Sequence, residues 1–272
     1  MIPPISLRFG ILCSIAGDRI GTLLFRIFRI RKGGTSMKIA IILLAMACSA
    51  VYLRKFGNHF FAGEKVGVIV VDVQGDFTTW KQGSLAVPGT DKFFVEKVEN
   101  ATRELARKGV LVFGTQDWHP PGHVSFYTSH SGKKPFQSIE IDGRTQVLWP
   151  PHCIQGTQNA RVLVDNNLFL TIVKKGKNPK YDSYSGFKDD GGDKTEMDRI
   201  LKRSGIRNVI VYGIATDYCV KATAIDAVNG GIKVAVVEGL CKGVAPDTAK
   251  AALQEMKEKG IKIVMEPDEL TL

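Results

Sequence analysis

Val209-Ile210-Val211-Tyr212-Gly213-Ile214, followed at once by Ala215-Thr216-Asp217-Tyr218-Cys219-Val220, decides the fold of this chain. The first six residues are an unbroken apolar run, too short for a buried helix and closed by a polar turn. That is the pattern of a strand covered on both faces, as in a parallel sheet. The residues after it, through Ala227, read as a helix. A cysteine at such a strand-to-helix junction lies among helix-terminal N–H groups, which lower a thiol pKa and can hold a developing oxyanion. Cysteine is also an ordinary buried small hydrophobe, so Cys219 acquires meaning only from its company.

Working outward, Val66–Asp72 is a second apolar run, ending in a carboxylate. Phe93–Arg107 has helical spacing (Phe94, Val95, Val98, Ala101, Leu105) and stops at Lys108-Gly109, a cation and a glycine. Val110–Thr115, Leu168–Val173, Ile232–Val237 and Ile261–Met265 read as further strands. Glu196–Arg203 and a segment from Pro246 or Asp247 to Lys259 read as helices. Strands alternating with helices predict an α/β fold with a doubly wound, mostly parallel six-stranded sheet and helices on both faces. Sites in such folds lie at the carboxyl ends of the strands, and Asp72, Asp117, Lys175 and Cys219 all fall at or just past such ends. Residues 116–167 form a Pro- and Gly-bearing excursion too long for an idle connection.

The net charge of +10 and pI near 9.4 point first to nucleic acid. The excess is local: residues 1–64 carry nine Lys/Arg against Asp18 and Glu64, a net of +7, which leaves +3 for residues 65–272. With no aromatic-interleaved basic motif in that remainder, nucleic-acid binding is set aside. Cys13, Cys48, Cys153, Cys219 and Cys241 are too irregular for a disulfide framework or a zinc finger. Residues 1–64 read as an amino-terminal extension and 65–272 as the domain that carries the strands and helices. Within the extension, Lys38 precedes the apolar Ile39–Ala47 and then Cys48-Ser49-Ala50, the layout of a secretory signal. The apolar stretch, 39–53 at most, is short beside the roughly 20 residues of a membrane span. Export or membrane anchoring is slightly favoured over a cytoplasmic location, with membrane contact through this segment. Lys32-Gly33-Gly34 is codable as a ribosome-binding site, so Met37 is read as the true start.

A carboxylate closing an all-apolar strand is desolvated, so Asp72 is expected to have a raised pKa and to exchange a proton near neutrality. Lys175, with Lys174 as its competitor, is placed to approach the same mouth and favour a thiolate. Thr115-Gln116-Asp117-Trp118-His119 sets Asp117 and His119 at i and i+2, on one side of an extended segment, as a chelating pair requires. His152 or His123 supplies a third ligand from the excursion. One carboxylate and two imidazoles leave coordination positions open, as in catalytic sites.

Taken in order, Asp72-Val73-Gln74-Gly75-Asp76-Phe77, Thr115 to Pro120, Trp149 to Thr157, Lys175 to Pro179, Asp182 to Phe187 and Gly213 to Val220 resemble the nicotinamidases (pyrazinamidase/nicotinamidase) of the isochorismatase-like cysteine hydrolase superfamily. The resemblance covers about residues 66–266. It implies a catalytic triad of Asp72, Lys175 and Cys219, and a divalent metal held by Asp117, His119 and His152, zinc ahead of iron or manganese. It also implies a cis peptide between Ala215 and Thr216 in the oxyanion region, and ring contacts from Phe77, Trp149 and Tyr184. The activity implied is hydrolysis of nicotinamide, with pyrazinamide as an analogue, in NAD salvage, and a homo-oligomer is left open. The alternatives are an N-carbamoyl amidase, an isochorismatase, or a non-catalytic envelope protein binding metal or a partner. Each leaves either the cysteine or the Asp/His cluster unexplained.

Overall fold

The computed structural model describes residues 60, 61 and 63–272; the readings made for residues 1–59 lie outside them. Six strands form one sheet: β1 (Val66–Val71), β2 (Leu111–Asp117), β5 (Thr171–Lys175), β6 (Asn208–Ile214), β7 (Lys233–Lys242) and β8 (Lys262–Val264). Their order is β5-β2-β1-β6-β7-β8, and every pairing is parallel. Every residue of β1 and of β6 is buried, as the unbroken apolar runs require of central strands covered on both faces. From β1 the chain runs outward through β2 to β5, then returns to the other side of β1 and runs outward through β6, β7 and β8. With right-handed crossovers, this reversal puts the connecting helices on opposite faces and opens a crevice at the carboxyl ends of β1 and β6.

Helix α1 (Lys92–Arg107) starts where the Asp91 carboxylate accepts the Phe94 N–H at 2.8 Å, and it buries Phe94, Val95, Val98, Thr102 and Leu105 on one stripe. Helix α2 (Met197–Arg203) is short; α3 (Lys221–Asn229) follows β6, and α4 (Pro246–Glu258) follows β7. The long excursion carries one element that the apolar pattern does not announce, an antiparallel hairpin of β3 (Ser138–Ile141) and β4 (Arg144–Val147). Its turn is Asp142-Gly143, both at positive φ (50° and 75°), the backbone that an Asp-Gly pair favours. Strands β2 and β5 reach further than expected, to Asp117 and Lys175, because these ends pair with each other in register.

Gly213 sits at φ 135° beside a register shift between β6 and β7, and a side chain there would collide with the Val71 carbonyl oxygen. Gly213→Ala is therefore expected to cost more than about 4 kcal/mol in urea denaturation, since it strains both backbone and packing. A variant within about 1 kcal/mol of the native protein would show that the two central strands can part without loss.

Candidate active site

Four neighbouring strands each deliver one group to the same mouth, in the order of the sheet: Lys175 from β5, Asp117 from β2, Asp72 just past β1, and Cys219 just past β6. All four are buried. Lys175 Nζ lies 2.9 Å from Asp72 Oδ2, donates to Asp117 Oδ1 and to the Ser183 carbonyl (2.7 Å), and stands 3.5 Å from Cys219 Sγ. Lys174, the competing cation, instead lies over the Trp118 ring at 3.9 Å. Asp72 has a left-handed backbone (φ 46°), a conformation aspartate tolerates better than most residues, and its Oδ1 accepts the Thr115 hydroxyl at 2.7 Å.

Burial raises the Asp72 carboxyl above the usual range, with Asp117 adding to that effect and Lys175 and Thr115 opposing it. Burial would also raise Asp117, but Lys175 and His119 outweigh it and hold Asp117 ionised. Lys175 remains cationic, because the two carboxylates more than offset the cost of burying its charge. Burial pushes the Cys219 thiol well up, with Lys175 opposing and Asp72 and Asp117 adding to the rise. The expected lowering of this thiol by helix-terminal amides and a lysine is therefore corrected. Enclosure, with two carboxylates at hand, outweighs both, and the resting group is a thiol beside a base.

A second correction concerns the backbone. The cis bond is Ile214–Ala215, one peptide earlier than Ala215–Thr216. Strand β6 runs to Ile214, so the cis bond is the one by which the chain leaves the strand. Ala215 is already extended (φ −104°, ψ 149°), and Thr216–Val220 forms a π-helical turn rather than the start of an α-helix.

His119 is brought to His152 by pairing of the segments that carry them: the His119 N–H donates to the Cys153 carbonyl (3.0 Å) and the Gln155 N–H to the His119 carbonyl (2.9 Å). The two rings meet edge to face, 5.0 Å apart. His119 Nδ1 is 3.0 Å from the Gly176 carbonyl and His152 Nδ1 is 2.7 Å from the Pro150 carbonyl. A carbonyl only accepts, so both rings carry Nδ1–H, and Nε2 is the atom each leaves to face a metal. His119 Nε2 is buried with no hydrogen-bond partner, 3.6 Å from Asp117 Oδ2. Burial and His119 push His152 down to about 4, so it is neutral. Ligand atoms of Asp117, His119 and His152 all lie within 4.8 Å of one another. This donor set and the orphaned Nε2 fit a divalent metal with open positions. His123 drops out as a third ligand: its Nδ1 meets the Ser125 hydroxyl (2.8 Å) and its Nε2 the Asn178 and Tyr181 carbonyls (3.0 and 3.1 Å).

Phe77, Trp149 and Tyr184 line the cavity that holds Cys219, Asp117 and His152. The Trp149 Nε1–H donates to the Tyr184 hydroxyl at 3.1 Å, and Tyr218 stands edge-on to Trp149 at 5.0 Å. Three supports escaped the sequence reading. Gln74 pairs with both backbone groups of Asp117, its Nε2 donating to the carbonyl (2.9 Å) and its Oε1 accepting the N–H (2.7 Å). Thr115 braces Asp72, and Asp76 accepts the Cys153 N–H at 2.7 Å, next to His152. The available signal was a polar side chain within or just past an apolar run, which has to find a partner when buried.

Residues 66–267 match the isochorismatase domain family. The chain is 40% identical over 198 residues to the nicotinamidase of Acinetobacter baylyi, covering 71% of this chain and 89% of that protein. The structure of an Acinetobacter baumanii nicotinamidase/pyrazinamidase superposes with a TM-score of 0.69 at 39% identity, covering 77% of this chain and all of that one. The pyrazinamidase of Pyrococcus horikoshii in complex with zinc superposes at 0.62 and 38% identity, over 74% of this chain and 98% of that one.

Proposed function

The chain belongs to the isochorismatase domain family, and from that premise and the geometry of its site we propose that it is a nicotinamidase, a cysteine amidohydrolase releasing ammonia from nicotinamide to leave nicotinate for NAD salvage. The observation that carries the reading is the sharing of Asp117, one oxygen on Lys175 and the other beside His119. A nucleophile centre and a metal centre thus meet on one carboxylate, and a substrate with a carboxamide and a ring nitrogen meta to it on the same aromatic ring addresses both. Asp117, His119 and His152 would hold a divalent metal, zinc ahead of iron or manganese, which when bound would supply a Lewis-acid position for that nitrogen. Phe77, Trp149 and Tyr184 enclose the ring and exclude water.

Chemistry begins with proton transfer. Asp72, whose proton affinity is raised, takes the Cys219 proton as Sγ attacks the carboxamide carbon, and the carbonyl electrons move onto oxygen. Backbone N–H groups of Thr216 and Cys219 steady that oxygen. The carbonyl re-forms, the C–N bond breaks, and Asp72 hands its proton to the leaving nitrogen, giving ammonia and a thioester. Asp72 then accepts a proton from water as the hydroxide adds to the thioester; the C–S bond breaks, Asp72 returns that proton to Cys219 Sγ, and the acid leaves, losing its own proton to solvent as nicotinate. Lys175 stays charged throughout and holds the two carboxylates apart.

The test is ammonia release from nicotinamide by the purified protein, with chelator and then with added zinc. Turnover should fall by about 100-fold or more on chelation and recover with metal. A chelated enzyme retaining full rate would remove the metal from the scheme, and a folded, metal-loaded protein inert on nicotinamide would overturn the substrate.

A further inference from the structure

We propose that Asp217 is a positioning residue for thioester formation, clamping the nucleophile turn onto the amino end of α4; the inference deepens the amidase reading and rests on it. Cys219 stands fourth in the π-helical turn Thr216–Val220, closed by Tyr218 and Val220 N–H groups that both donate to the Ala215 carbonyl at 3.1 Å. Single π turns are rare and poorly bonded, and they persist where something outside them holds the backbone.

Asp217 is that hold. It lies two residues before the nucleophile, 5% exposed. Its carboxylate accepts the Val244 N–H at 3.0 Å, the Ala245 N–H at 3.3 Å, and the Thr248 hydroxyl. Helix α4 has no cap of its own: the capping position is Ala245, whose methyl accepts nothing, and Pro246 follows. The helix therefore takes its cap from a residue 28 positions earlier, and the positive end of the helix dipole favours a carboxylate there. The approach is close enough that a side chain on Gly243 would collide with the Ala249 methyl and lie 3.4 Å from Asp217 Oδ1. Val244, held by this clamp, also lines the cavity that contains Cys219. One carboxylate thereby ties together the turn that carries Sγ, its oxyanion N–H groups, and a wall of the pocket. Freed from it, Sγ and the amides would no longer face the reacting carbon together, while the metal and the ring-contacting aromatics would be untouched.

The experiment compares Asp217→Ala and Thr248→Val with the native protein, reading kcat and KM for nicotinamide together with the rate at which iodoacetamide alkylates Cys219. For Asp217→Ala, kcat should fall about 30- to 100-fold with KM changed less than about threefold, the split of a group acting only in the transition state. Alkylation should quicken at least about threefold as the turn opens. Thr248→Val breaks the clamp from the helix side and should lose about three- to tenfold in kcat with the same split; it decides the matter if Asp217→Ala does not fold. A folded variant with native kcat, or a loss carried wholly by KM, overturns the proposal. If the native protein releases no ammonia, the amidase reading falls instead, and equal alkylation rates would then separately refute the clamp.

Discussion

Cys219→Ala should abolish ammonia release, with kcat falling on the order of 10⁴-fold or more, as removal of a covalent nucleophile does elsewhere. No other group among the described residues is placed to substitute for it. Asp72 and Lys175 are engaged with one another at 2.9 Å, and the other cysteines among the described residues, Cys153 and Cys241, belong to the packed core. Folding should survive, because only Sγ is lost and its polar neighbours keep other partners: Lys175 retains Asp72, Asp117 and the Ser183 carbonyl, and Asp72 retains Lys175 and the Thr115 hydroxyl. The variant's urea midpoint should therefore stay close to native, and the loss can be assigned to chemistry. Cys219→Ser should be nearly as poor, since a hydroxyl gives up its proton to Asp72 less readily than a thiol. An alanine variant with the native rate would sink the covalent scheme.

Lys175→Met is expected to give the largest loss of stability in the site. The side chains of Lys175 and Asp72 are wholly enclosed and that of Asp117 is 6% exposed, and among the described residues the Lys175 ammonium is the cation that meets both carboxylates. Deleting one partner of a buried ionic group leaves uncompensated charge and costs about 3–5 kcal/mol. Here two carboxylates are stranded, so the upper end applies, and one of them must bind a proton for the chain to fold at all. Methionine fills much the same volume, which separates charge from packing. The double variant Lys175→Met, Asp72→Asn should recover a large part of the lost stability in urea denaturation and none of the turnover. Equal stabilities for the native and Lys175→Met proteins would mean that the cluster is solvated and the reasoning about Asp72 wrong.

Much of this was written in the sequence because parallel strands and their helices are local patterns. Unbroken valine and isoleucine runs mark β1 and β6, and a cation followed by glycine marks where α1 ends. Residues that end such runs in charge, Asp72 above all, were conspicuous before any geometry was known. What stayed hidden depends on distant partners. Gln74 meets Asp117 across 43 residues and Asp217 meets Thr248 across 31, and neither pairing leaves a periodic trace. The reach of β2 and β5 is likewise set by their pairing with each other, since Gln116-Asp117 and Lys174-Lys175 are not strand-forming on their own. The Asp142-Gly143 turn is different in kind: its signal is local, two residues that favour positive φ inside the Pro- and Gly-bearing excursion. The thiol's resting state could not be had from spacing at all, because it reflects how completely a protein encloses the sulfur.

Strand β5 has a partner on one side only, β2, yet it supplies the cation at the heart of the cluster. An edge strand is the part of a sheet that opens most readily, without the rest unravelling. The catalytic competence of this enzyme is therefore less durable than its fold. On gradual warming, turnover should fade through fraying of 171–175 while the four inner strands remain paired, and hydrogen exchange at Val173 should follow the decline in rate rather than the later collapse of the sheet.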